Sequence, residues 1–364
     1  MQRVARVSGP AVLLLVAFLA VLAALSYGGG ANPGIAIDPG ALVRYGVPIS
    51  KLVVDLSIAL ALGALALGIF AFSSREAEFG KALDLAAAGA AVWTVAAAAS
   101  SILVFSSTAS TAPSLSQAFG QSLGDFLTTI PLGRAWLTTT LVGAALTVVC
   151  FAVRNVTVLG FVTVLAVIGL IPLSEQGHAG DSSTHNAAIT AIWLHVLFAS
   201  FWLGGLLTLV LLRRTLTPER MMAVLPRYST IALIAFLVVA ASGTVNAVIR
   251  VGTWPSLLTP YGVLILVKIT ALGALGLFGA FYRRAIIGRL TRENARKLFW
   301  VLATAELAFM GIAEGVASAL AVTAPPVDAV SASSLASATP AEFLTGTPLP
   351  PELTPARFFT SWNL

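Results

Sequence analysis

Three histidines, His178, His185 and His195, are all the imidazoles in this 364-residue chain, and they fall within eighteen positions, in SEQGHAGDSSTHNAAITAIWLHVLFASFWLG. Neutral imidazole suits copper, zinc, iron and nickel, whereas thiolate and thioether select cuprous copper. The single cysteine, Cys150, forms no C-x-x-C or Cys/His zinc spacing, so imidazoles and carboxylates are the ligand types on offer. That set fits an oxidised or borderline cation. His178 and His185 stand seven apart in a stretch that carries Glu175 and Asp181 and no Lys or Arg, the composition of a mouth that gathers cations. His195 follows inside an apolar run.

Asp55, Lys268, Glu306 and Glu314 also interrupt apolar runs. An ionisable group at the centre of a membrane helix costs about 3 kcal/mol on insertion scales, so each is a functional hypothesis. Counted inward from the outer end of its run at about 1.5 Å per residue, each of His195, Asp55, Lys268 and Glu314 lies about 12–14 Å deep. Four runs therefore bring one polar layer to one level. A structural ion pair of Lys268 with Asp55 or Glu314 accounts for three of these residues and leaves His195 unexplained. Glu306, Met310 and Glu314 recur at i, i+4 and i+8, which places them on one helix face. Two carboxylates about a thioether suit a candidate cation path, although Met310 alone is more often a packing residue. Glu306 is deep on the opposite side from Lys268, so the two take separate roles. Asn246, in ASGTVNAVIRVG, suits hydrogen bonding across helices, and Gly204 and Gly205 in WLGG suit close helix approach.

The elements that position these groups follow from composition. Charged residues make up 10% of the chain and hydrophobic ones 58%, with a mean hydropathy of +0.94, against about 25% charged in soluble domains. The chain is an integral membrane protein of the all-α class, a polytopic transmembrane helical bundle. Runs long enough to cross a bilayer, about 20 residues, can be placed nine times, near 8–27, 46–72, 82–105, 131–153, 156–173, 187–212, 228–250, 260–282 and 299–323. With the N-terminus cytoplasmic, fifteen of the 21 Lys and Arg fall on inner loops, while Lys51, Arg134 and Lys268 lie within runs. This obeys the positive-inside rule on every loop and puts the histidine loop and the C-terminal tail outside. The net charge of +6 thus reports orientation rather than a nucleic-acid partner, and membrane lipid is the expected surrounding.

Residues 1–43 hold the first run and an outer loop. Arg3 and Arg6 precede that run as in a signal peptide, but LSYGGGANPG offers no A-x-A cleavage site, which favours a retained signal anchor. Residues 44–176 form the first part of the bundle and 177–326 the part with the histidines. Residues 327–364 are rich in Pro, Ser and Ala and read as an extended extracytoplasmic linker. No nucleophile elbow, Walker loop, dinucleotide fingerprint or H-E-x-x-H occurs. The expectation is a protein that is not an enzyme and whose transport draws on a gradient, a partner or facilitated diffusion.

GHAG, WLHVLFASFWLGGL, PRYSTIALIAFLVVAASGTVNAVIRVG, YGVLILVKITALGALGLFGAFYRRAI and ELAFMGIAEGVASALAVTAPP, in that order over residues 177–326, together resemble the copper resistance D family of bacterial inner-membrane proteins. The resemblance implies copper as the metal, moved across or handled at the cytoplasmic membrane, with a periplasmic copper-binding protein of the resistance C type as partner. Position by position it singles out His178, His195, Lys268 and Glu306. Residues 44–175 resemble the family only loosely, through Asp55 and GRAW. In actinobacterial relatives this part is fused to a second membrane domain similar to a cytochrome c oxidase assembly factor, and LTPARFFTSWNL looks like its threshold. Two other readings stay open: a haem-binding transmembrane electron carrier, which needs axial histidines on facing helices, and a metal-free scaffold for oxidase assembly.

Overall fold

The computed structural model describes residues 8–33, 38–174, 182–286 and 293–327, with backbone alone for 8, 182–185, 285 and 286. It is all-helical among them. The order is α1 (Ser8–Gly28), α2 (Ala41–Phe70), α3 (Ala77–Thr108), α4 (Gln117–Thr129), α5 (Pro131–Ala152), α6 (Val156–Gly169), α7 (Ile171–Ser174), α8 (Ser182–Leu212), α9 (Pro218–Val251), α10 (Pro260–Phe281) and α11 (Glu293–Leu320). Nine helical segments among the described residues are long and apolar enough to cross a membrane, α6 and α7 together making one of them. In hydrocarbon only such self-satisfied helices can span, and the protein is a multi-pass membrane protein in contact with lipid.

Local chemistry sets several boundaries. Thr217 and Thr259 each accept a hydrogen bond from the third residue on, and each is followed by a proline at the first helical position, so α9 and α10 open in the same way. The Asn155 side chain caps α6. Pro172 cannot donate to the ladder and coincides with the break between α6 and α7. At the start of α2, the Arg44 guanidinium and the Gly40 N–H both bond Asp38 and hold its carboxyl below the ordinary carboxylate range.

The centre of the bundle is α2, which packs on α3 along one side and on α8 along another, and also meets α6 and α11. Its contact with α8 is backbone on backbone. A Cβ added at Gly204 would overlap the Ala59 carbonyl, and one at Gly63 would overlap Gly204 itself. Small residues on facing helices are the usual means of such approach in membranes. Gly205 faces the ring of Tyr228 on α9 instead. α1 packs along α11, where a Cβ at Gly311 would stand 2.9 Å from the Leu13 carbonyl, and Leu13, Ala17 and Val21 are buried. α1 is thus a packed member of the bundle.

Three features differ from the sequence expectation. The connection from α3 to α5 contains the amphipathic helix α4, whose Phe119 and Phe126 rings stand 5.1 and 5.5 Å from Phe105. α9 starts ten residues before the expected 228, and its extension carries Arg220, which pairs at 2.5 Å with the buried Glu78 of α3. α8 starts at Ser182 rather than 187, so the His185 backbone belongs to the helix and not to a loop.

Candidate functional site

Asp55 lies one turn below Lys51 on α2, and the Lys51 ammonium reaches both of its carboxylate oxygens, at 3.1 and 2.9 Å. Of the two partners a structural ion pair offers Lys268, Asp55 is thus bonded to Lys51 instead. Lys51 stands on the same face at i−4 and satisfies Asp55 within its own helix. The side chains are 33% and 14% exposed, so the pair is half-buried rather than sealed.

His195, on α8, meets α9. Its Nδ1 lies 3.2 Å from the Ser242 hydroxyl, which itself donates to the Val238 carbonyl at 2.6 Å. A hydroxyl has one proton. With that proton on Val238, or on the Val239 carbonyl at 3.3 Å, Ser242 accepts from His195, and Nδ1 carries the hydrogen. The neutral ring then holds its lone pair on Nε2, the form that binds a metal ion or takes a proton. Gly243 provides the berth, since a Cβ there would come within 3.2 Å of the imidazole Cε1. Neither Ser242 nor Gly243 was singled out from the sequence, although the dipeptide SG marks a small, polar spot on an otherwise apolar helix.

Lys268 on α10 lies within electrostatic range of His195, Glu314, Asp55, Lys51 and Arg250, and Glu314 on α11 in range of Asp55, Lys268 and Lys51. The structure thus gathers His195, Asp55, Lys268 and Glu314, and adds Lys51 and Arg250. Five helices contribute. Two carboxylates stand against three cationic side chains, and Asp55 is the carboxylate bonded to a lysine. Among the described residues no group of three His, Cys, Asp or Glu is close enough to hold a metal ion.

Glu306 belongs to a second station. Its carboxylate is buried, accepts from the Trp202 indole at 3.3 Å, and adjoins the Tyr282 hydroxyl. Its partners and those of Glu314 do not overlap. Met310, also buried, stands between the two carboxylates on α11, which are about 12 Å apart along the axis. Asn246 differs from expectation: its amide donates to the Ser242 carbonyl of its own helix at 3.1 Å rather than across helices.

His178 lies outside the described residues, as do Glu175 and Asp181 and the tail from 328 onward. For His185 the backbone alone is described, in the first turn of α8, about 15 Å along the axis from His195. His195 is therefore the one imidazole whose surroundings are described.

Two family models match the chain. One, described as the copper resistance protein D-like N-terminal domain, covers residues 37–185, and the other, copper resistance protein D, covers 222–320. The first takes in α2 to α7 and the second most of α9 to α11, so the matches meet around the site from its two sides. Residues 186–221, with His195, Trp202, Gly204 and Gly205, fall between them. No curated protein and no solved structure matches the chain.

Proposed function

The chain belongs to the copper resistance D family, and from that membership, which suggests a role in copper resistance or transport, we propose that it carries copper through the membrane with His195 as the first internal station. Copper is cargo here rather than a resident cofactor. The ion enters from the side of the histidine loop, which the charge asymmetry of the loops puts outside the cytoplasmic membrane of a bacterium, and His178 and His185 gather it. His195 then receives it on Nε2. Asp55 and Glu314 supply the compensating charge as Lys51 and Lys268 release them. Glu306 and Met310 lie further along α11 on the inner side.

The observation that carries this reading is the Ser242 hydroxyl beside His195 Nδ1, an arrangement that favours the tautomer with its lone pair on Nε2. A pre-neutralised cluster with one imidazole favours brief residence, as delivery requires, over tight holding. A periplasmic copper-binding protein of the resistance C type is the donor this reading implies, and cytochrome oxidase metallation is a use for the copper delivered.

The test is cellular copper accumulation with His178→Ala and His195→Ala, at matched levels of folded protein in the membrane. The proposal expects accumulation to fall in both. Unchanged accumulation in both variants removes it and leaves the scaffold reading, in which the buried charges serve structure alone. A Soret band in the purified protein would favour the electron carrier instead.

A further inference from the structure

A cavity of about 300 Å³ lies between α8, α9, α10 and α11, further along these helices from the His195 cluster. Trp202, Tyr228, Phe236 and Phe299 line it, and the Glu306 carboxylate and Tyr282 also border it. Its volume is at the lower end of small-molecule sites. The indole of Trp202 and the ring of Phe236 stand edge to face, 5.8 Å apart, which makes one wall aromatic.

Part of the lining lies between α9 and α10, two helices long and apolar enough to cross a membrane, and part at the end of α10, by Arg283 and Arg284. α9 and α10 pack only lightly against each other. Between them the lining is Ala232, Leu233, Gly276 and Gly279; Leu233 is exposed, and Gly279 has open space where a side chain would go. At the α10 terminus the Arg283 guanidinium donates to the Ser229 carbonyl of α9 at 2.5 Å, tying the two helices together there. A ligand would enter sideways from the bilayer.

Inside, two polar groups are 4% and 8% exposed: Glu306 and Tyr282. The Tyr282 hydroxyl is directed at the Glu306 carboxylate in a contact longer than an ordinary hydrogen bond. Buried hydroxyls are rarely left so, and such exceptions call for an explanation. Tyr282 also begins a π-helical turn, Tyr282–Ile286, a distortion that recurs at functional sites.

We propose that this cavity binds the head group of a membrane quinol or quinone. One ring oxygen accepts from the Tyr282 hydroxyl, a ring hydroxyl or an intervening proton meets the Glu306 carboxylate, the ring lies among the aromatic side chains, and the apolar tail leaves between α9 and α10. An acyl chain gives the two polar groups nothing. A metal ion finds a single carboxylate without imidazole or thiol. A water-soluble metabolite leaves the aromatic wall and the apolar gap between α9 and α10 without a match. The inference goes beyond copper transport and does not depend on it.

The test is titration of the purified protein, in quinone-free nanodiscs, with decylubiquinone, followed by quenching of tryptophan fluorescence. The proposal expects saturable quenching, about fivefold weaker affinity in Tyr282→Phe and in Glu306→Gln, as the loss of one hydrogen bond brings, and no competition by decanol. His195→Ala should bind as the wild type does, whatever happens to copper. Absence of saturable quenching in the wild type, equal affinity in both variants, or full competition by decanol, which would mark a plain lipid-tail site, each overturns the proposal. Should a variant fail to fold, the wild-type titration and the decanol competition still decide it.

Discussion

Ser242 Oγ lies 3.2 Å from His195 Nδ1 while giving its proton to the Val238 carbonyl. One hydroxyl thereby sets both the tautomer and the angle of the imidazole. Such supporting partners are worth about 10–100-fold in metal affinity where a histidine is a ligand. Ser242→Ala should therefore weaken copper transport about tenfold with the thermal midpoint little changed, measured as initial uptake rate against copper concentration. Ser242→Thr, which keeps the hydroxyl, should restore most of the rate. If Ser242→Ala transports like the wild type, the hydroxyl is only capping its own helix.

The Lys51–Asp55 pair separates structure from transport. Removal of one partner of an ion pair costs about 1 kcal/mol where both are exposed and about 3 kcal/mol where both are buried; this pair, half-buried, should fall between. Lys51→Met should destabilise by that amount, and Lys51→Met with Asp55→Leu should recover most of the loss, as read by thermal unfolding in detergent. The double variant should nevertheless lose copper transport. Full transport in a stable double variant would assign the pair to structure alone.

Among the described glycines, Gly204 leaves the least room for a side chain. Gly204→Leu should abolish folding, because a side chain there has only the Ala59 carbonyl to move against. Gly205→Ala meets the edge of the Tyr228 ring at 2.8 Å, a side chain with some freedom, and should cost only about 1–3 kcal/mol. Size-exclusion profiles of the two variants should differ, monodisperse for Gly205→Ala and aggregated for Gly204→Leu.

Glu78, 3% exposed, depends on Arg220 for its counter-charge. Arg220→Ala should leave a buried carboxylate unpaired and destabilise by about 3 kcal/mol, detected as a lowered thermal midpoint. Arg220→Ala with Glu78→Gln should be closer to the wild type.

The span count was legible because about 20 apolar residues in a row have one physical solution in a bilayer. The ends of the helices were not legible from hydropathy. Ser182, Ser183, Thr184, His185 and Asn186 are polar, so a hydropathy window starts α8 after them. Thr217-Pro218 was a readable cap signal for the long start of α9, and it is independent of hydropathy. α4, with 13 residues, is too short to register as a span. At the site, depth counting brought His195, Asp55, Lys268 and Glu314 to one level, but depth carries no azimuth. It therefore did not show that Lys51, one turn above Asp55, already holds that carboxylate, or that Ser242 rather than a charge is the nearest partner of His195. Asn246 was misjudged for the same reason, since a side chain at i+4 finds its own helix carbonyl as readily as a neighbour.

The most direct test of copper passage by way of His195 is copper flux into proteoliposomes that contain the purified protein, wild type beside His195→Ala. Flux should be saturable in the wild type and about tenfold or more lower in His195→Ala, with both proteins equally folded by circular dichroism and thermal midpoint. Equal flux in the two, or no copper flux above empty liposomes for the wild type, would contradict it.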